Sequence, residues 1–326
     1  MNTFILPKCL DESRALEFSC ELNNTDPSDR MILDVSRLRW AYPFGTLVVA
    51  SQIRRYINHY EPQVELVGYS ELNHTHSYLS HIGFFRHLGF ELGKNPGEAR
   101  GSRSYMPITV LRYTDLMIDE IMGDSPMHKA IQAKADTFSS LLTQSHRSAI
   151  TTPVSYCIRE LVRNVFEHAR IGECMLAGQQ YSNGRVQIGI VDNGCGILSS
   201  LKERFDVKSD SEALSYALKP GISRSVLTDD DNQWSNSGFG LYVLSELGRR
   251  TGYFSITSGS AILRVTSTAG DTVGPACHAG TAVNIIFRKL HGTNLAEHIK
   301  QIIEEGEKQS IPGIGTPRAS KSSKSV

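Results

Sequence analysis

Several features that would take this chain out of a reducing aqueous compartment are missing. No run approaches the ~20 apolar residues that a membrane helix needs. The opening MNTFILPKCLDESR offers only Phe4, Ile5 and Leu6 before polar residues return, which reads as no signal peptide. The six cysteines lie at 9, 20, 157, 174, 195 and 277 and form no CxxC pair, which excludes zinc-ribbon and thioredoxin patterns. Scattered cysteines without an export signal fit a reduced cytosol, so a cytoplasmic location is expected. Charge of one sign is also missing, since 34 Lys and Arg meet 34 Asp and Glu. That removes the bulk electrostatic case for nucleic acid or an anionic membrane. No internal repeat is present. What remains is an ordinary globular composition, 40% apolar and 21% charged, over 326 residues, long enough for two domains.

The chain reads in pieces. Residues 1–93 alternate strand and helix signals. FILPKC, RMILDVSRL and QVELVGY read as strands. DESRALEFSCEL, PFGTLVVASQIRRYI and SYLSHIGFFRHLGF read as helices, the second with Pro43 near its start. This order predicts a small α/β domain with a largely parallel sheet. Residues 94–102, inside the polar and Gly-rich ELGKNPGEARGSRS, are the expected linker. The second unit, 103–292, opens with the strand YMPITVLRY and continues through helical patterns at 114–145 and 153–170. Strands are expected at 185–193, 253–259, 261–268 and 281–289, with the helix SGFGLYVLSELGRR between them. The expectation is a mixed or antiparallel sheet covered on one face. Residues 293–308 read as an amphipathic helix with Leu295, Ile299, Ile302 and Ile303 on one face. Residues 309–326, with five Ser, two Pro and no aromatic, read as a disordered tail.

Four short motifs carry chemistry. In IRELVRNVFEHA (158–169), Glu160, Asn164 and His168 are spaced i, i+4, i+8 and share one helix face. Such a stripe is either a solvated face or a site, in which the carboxylate can act as a base and the carboxamide oxygen as a hard ligand suited to Mg²⁺. In IGIVDNGCGI (188–197) an apolar strand ends in Asp192, followed by Gly194 and Gly196, which let the backbone turn. A buried Asp there needs a donor, which an exocyclic amine of a base would supply, although Asn-Gly is also ordinary turn chemistry. SGFGL, with Gly238, Gly240 and Leu241, leads into a helix whose free N–H groups suit phosphate oxygens, or it is a plain loop-to-helix junction. Gly280 and Thr281 open the strand TAVNIIF.

Together and in this order, ExxxNxxxHA, DxGxG, GxGL and GT resemble the GHKL superfamily of ATP-binding domains, over roughly residues 103–292. The resemblance implies a Bergerat-type α/β sandwich, a mixed sheet with helices on one face, binding ATP and Mg²⁺. By it, Asn164 would coordinate Mg²⁺ and Glu160 would orient or deprotonate the attacking nucleophile. Asp192 would bond the adenine amine, with Gly194 and Gly196 shaping the base pocket. Gly238 and Gly240 would wrap the phosphates, with His168, Leu241 and Arg224 also at the nucleotide and Thr281 at the adenine end. Residues 198–236 would be a mobile ATP lid.

The spelling of the first motif looks most like the anti-sigma-factor serine kinases. That implies an ATP-binding regulatory protein, with Mg²⁺-dependent ATPase or Ser/Thr protein kinase activity coupled to a partner through lid movement. The alternative is a non-catalytic nucleotide-binding interaction module. The partner would be a STAS-like or sigma-regulating protein, and a homodimer is compatible with the sequence. Residues 1–93 faintly resemble a STAS-like domain through RMILDVSRLRWAYPFGTLVVASQI. Pro43 stands about where that family's phosphoacceptor hydroxyl belongs, and Thr46 is the nearest alternative.

Overall fold

A computed structural model describes residues 1–101, 104–123, 127–143, 151–222, 238–288, 294–310, 318–320 and 324, with 119–123 described in backbone only. The N-terminal unit runs β1 (Asn2–Ile5), β2 (Cys9–Leu10), α1 (Glu12–Asn24), β3 (Arg30–Asp34), β4 (Trp40–Ala41), α2 (Pro43–Tyr60), β5 (Gln63–Val67), α3 (His74–His81) and α4 (Phe84–His87). β1, β3 and β5 form a parallel sheet in that order, and β2 pairs with β4. Local chemistry starts the helices. Asp11 caps α1 by accepting the Arg14 amide at 2.9 Å, and Pro43 opens α2, where no intrahelical N–H is needed. The single helix expected over 77–90 is two short ones. Gly83, at φ +94°, breaks it, and a Cβ there would lie 2.8 Å from the Pro96 nitrogen of the crossing chain. Thr46 is buried in the first turn of α2, so its hydroxyl is closed to a kinase in this fold.

The second unit runs β6 (Tyr105–Arg112), α5 (Tyr113–Gly123), α6 (Met127–Thr143), α7 (Thr151–His168), β7 (Glu173–Gln180), β8 (Val186–Asp192), α8 (Gly196–Leu201), α9 (Asp210–Ala217), α10 (Gly240–Thr251), β9 (Gly252–Thr266), β10 (Gly270–Phe287) and α11 (Leu295–Gln309). Its five strands lie in the order β6-β7-β8-β10-β9. Every pairing is antiparallel, one of the two arrangements expected from the residues and not the mixed sheet that the resemblance implies. Two further corrections concern strands. β7, ECMLAGQQ, has no β-branched residue to announce it and forms because β6 and β8 flank it. The expected strands 253–259 and 261–268 merge into one, β9, which ends at Thr266 and pairs along nearly its whole length with a β10 that starts eleven residues before the expected 281.

Strand alternation divides the sheet into two apolar faces. Cys174, Leu176, Ile188, Ile190, Val283 and Ile285 face a core shared with α6, α7, α10 and α11. Met175, Ala177, Val191, Ile262 and Ala282 face the other way and join the core of the N-terminal unit. The sheet is therefore sheathed on both sides, the second side by α1 and α2 of the N-terminal unit. Gly189 permits this, because a Cβ there would stand 3.0 Å from the Phe44 Cα of α2 and 3.2 Å from Leu47 Cδ1. On α1, Glu12 reaches onto the strands. It accepts from Tyr253 Oη at 2.5 Å, Ser255 Oγ at 2.5 Å, Arg264 Nε at 2.9 Å and Asn284 Nδ2 at 3.0 Å. Four donors on one carboxylate satisfy a charge that burial would otherwise penalise. Among the described residues no helix is long and apolar enough to cross a membrane.

Candidate functional site

The C-terminal half of α7 lies beside the end of β8 and the Thr281–Val283 stretch of β10, and a cleft opens between them and α8. Its walls are apolar, from Leu161, Val165, Ile190, Ile256 and Val283, and its polar groups are few: Asn164, His168, Asp192, Ser200 and Thr281. An apolar slot with a few convergent polar groups is the usual form of a small-molecule site. A second lobe adjoins it. Asn164, His168, Ile197, Ser200 and Leu241 line both lobes, and Gly238 and Gly240 line only the second.

Asp192 ends β8 opposite Thr281, its register partner on β10. Its Oδ1 accepts the Gly194 amide at 2.8 Å and the Thr281 amide at 3.3 Å, while Oδ2 takes no hydrogen bond among the described residues. Burial pushes the carboxyl up to about 6, and the two amides pull it back only in part. An acceptor oriented by backbone on one oxygen and open on the other suits a ligand N–H. The glycines around it are sterically required. A Cβ on Gly194 would lie 2.2 Å from the Ala169 carbonyl oxygen, at the end of α7. One on Gly280, at φ +94°, would lie 2.1 Å from the Asp192 carbonyl oxygen. Gly196, at φ +75°, opens α8, and Ser258 Oγ accepts the Ile197 amide at 3.0 Å.

Gly240 begins α10 against α7. A Cβ there would stand 2.8 Å from Glu160 Oε2 and 3.7 Å from Asn164 Nδ2, so glycine lets the helix start close to both. Glu160 itself is buried and lines neither lobe. Its Oε1 pairs with Arg159 at 3.2 Å and Arg163 at 3.7 Å, both guanidiniums also buried. Arg159 reaches on to Gln132 of α6 at 2.9 Å, and Arg163 to Glu167 at 3.1 Å. The stripe of α7 is thus not a solvated face. Its first member sits in a buried ion network, and its other two open onto the cleft.

Asn164, His168, Asp192, Gly196, Leu241 and Thr281 converge on the first lobe, and Gly238 and Gly240 join Asn164 on the second. Gly194 shapes the loop without lining either lobe. Arg224 lies outside the described residues. Of the expected lid, 198–222 is described and carries most of α8 and all of α9. Leu201, Val207, Ala213, Ala217 and Ile222 form a small core of their own. Asp210 anchors α9 by accepting from the Ser260 amide and hydroxyl, each at 2.8 Å. Sequence reasoning missed Arg159 and Arg163, whose spacing around Glu160 was the available signal. It also missed Ser200 and Ser258, which carried none. Among the described residues no group of three or more His, Cys, Asp or Glu could hold a metal. Compared with protein-family models, with curated proteins and with solved structures, the chain matched none.

Proposed function

We propose that this is an ATP-binding regulatory protein of the GHKL type, its second unit a Bergerat-type sandwich and its first a STAS-like domain. The observation that carries the reading is convergence. Motif residues from four separated segments, ending at Thr281, meet on one two-lobed cleft with an apolar base slot and a glycine-lined second lobe. Asp192 Oδ2 would accept the adenine amine, with the base between the apolar walls. The start of α10 at Gly240 would direct its amides to the phosphates. Asn164, shared by both lobes, suits Mg²⁺, which takes one or two protein oxygens and completes its shell with phosphates and water. Bound there, Mg²⁺ would neutralise phosphate charge. α8 and α9 border the second lobe and would transmit nucleotide state to a protein partner.

A second reading has its own observation. Glu160 is tied to two buried guanidiniums rather than presented to the cleft, which favours a module that holds nucleotide without turning it over. One experiment separates them. The protein is incubated with Mg²⁺ and γ-phosphate-labelled ATP, beside Glu160→Gln and Asn164→Ala. Free phosphate lost in both variants indicates an ATPase, and label on protein indicates a kinase. Binding without either product indicates the module. Absence of binding by the wild type would overturn both readings.

A further inference from the structure

The loop that holds Asp192 is gripped from two sides. On one side is the end of α7: the Cys195 amide donates to the Ala169 carbonyl at 2.9 Å, and Gly194 rests against the same carbonyl with no room for a Cβ. On the other side is α2, from the N-terminal unit and some 140 residues away in sequence. Ser51 Oγ donates to Asn193 Oδ1 at 2.7 Å. Gln52 forms a reciprocal amide pair with the backbone of Ala279, Nε2 to the carbonyl at 3.3 Å and Oε1 from the amide at 3.4 Å, and its Nε2 also lies 3.5 Å from Asn193 Oδ1. Both side chains are buried, at 0% and 1% exposure, on a helix that otherwise turns apolar residues to the sheet.

Their targets flank the pocket. Asn193 follows Asp192, and Ala279 precedes Gly280 and Thr281, whose amide orients Asp192 Oδ1. Ala279 lies inside β10 at the second of two register shifts, Pro275/His278 and His278/Thr281, and has no register partner on β9 or β8, whose ladders resume at Thr281. Buried polar groups on α2 supply what the ladder lacks.

We propose that Ser51 and Gln52 are positioning residues of the nucleotide pocket, so that the N-terminal unit completes the site. They set the separation of the Asp192–Gly194 and Ala279–Thr281 segments, and with it affinity for the base. The inference rests on the nucleotide reading, and it makes any partner that shifts α2 a regulator of binding.

The test uses the full chain and two probes, adenosine and Mg²⁺-ADP, with Ser51→Ala, Ser51→Thr, Gln52→Met and the control Phe18→Leu. Phe18 packs edge-on against Phe4 in the N-terminal core. Removing one or two hydrogen bonds of this kind is expected to weaken both probes about equally, on the order of tenfold. A common factor for the two probes assigns the loss to the base end. Ser51→Thr keeps the hydroxyl and is expected to bind within about twofold of wild type, as is Phe18→Leu, although Phe18→Leu lowers thermal stability. Amide hydrogen exchange gives a readout independent of ligand. Exchange at Gly194 and Thr281 is expected to speed up in Ser51→Ala and Gln52→Met and to stay unchanged in Phe18→Leu. Unchanged exchange at both amides, or wild-type affinity in both α2 variants, would overturn the inference while leaving the nucleotide reading standing. Failure of wild type to bind either probe would overturn the two together.

Discussion

Replacing Asp192 by Asn is expected to stabilise the fold and to weaken the ligand, and the two effects come from the same carboxylate. Burial lifts its pKa from 3.8 to about 6. About two units correspond to roughly 3 kcal/mol held against the ionised form. The native state keeps a proton that the unfolded chain has released, so stability falls as pH rises from 3.8 through 6 and levels off above. Asn keeps an oxygen for the Gly194 and Thr281 amides and carries no charge. At pH 7.5 the variant should therefore gain up to about 3 kcal/mol, and near pH 4 the gain should vanish. Ligand binding runs the other way. Asn replaces the open acceptor with a donor, and loss of a hydrogen bond to a charged group costs about 1.5–3 kcal/mol, or roughly tenfold to a hundredfold in affinity. In wild type, adenosine, which has no titrating phosphate, should bind about tenfold more weakly at pH 5 than at pH 7.5, as the carboxylate takes up its proton. Urea denaturation from pH 4 to 8 and adenosine titration at the same pH values measure both effects. A variant less stable than wild type at pH 7.5, or a wild-type affinity flat across this range, would refute the reasoning.

Other predictions follow from the same contacts. Glu160→Ala should cost up to about 3–5 kcal/mol by taking a shared carboxylate from two buried guanidiniums, and Glu160→Gln clearly less, so chemical denaturation shows whether the ion network is structural. Gly194→Ala should lower stability by about 1–3 kcal/mol, since the obstructing atom is backbone, whereas Gly172→Ala, with nothing within 4 Å, should be nearly silent in a thermal melt. Leu47→Ala should cost about 2–5 kcal/mol, and if α2 and the sheet share one core, fluorescence and circular dichroism should still report a single transition. His278 is buried, and burial with nearby Arg55 lowers it to about 4 against the opposing pull of the Asp192 and Thr281 backbone. A His whose native pKa lies below its unfolded 6.5 loses stability as pH falls from 6.5 to 4. His278→Gln should remove about 3 kcal/mol of acid sensitivity, read from denaturation midpoints over that window.

Much of the N-terminal unit was legible because its signals are local. Apolar β-branched runs at RMILDV and QVELV and Pro43 at a helix start declare themselves within a few residues. α11 was legible for the same reason, its isoleucines falling on one face. β7 was not, because its residues become a strand only between two others, and the early part of β10 was hidden by Gly, Pro, Cys and His in GDTVGPACHAG. Glu160 shows the limit at the site. Its spacing with Asn164 and His168 is visible in the sequence, but its neighbours Arg159 and Arg163 turn inward with it, and that depends on α6 and Gln132.

The sequence by itself determined which residues offer donors, acceptors and close approach: a carboxylate at a strand end, glycines that tolerate it, and an asparagine and histidine one turn apart on a helix. Covalent structure fixes donors, acceptors and local torsional freedom, so these are readable without a fold. Only the tertiary structure decided how they meet. It brought β8, β10, α7 and α10 to one cleft and sheathed the sheet on its second side with α1 and α2. It also laid Ser51 and Gln52 against a loop far along the chain. Such contacts arise from burying two apolar sheet faces at once, and no local pattern along the chain records which helix will cover which face.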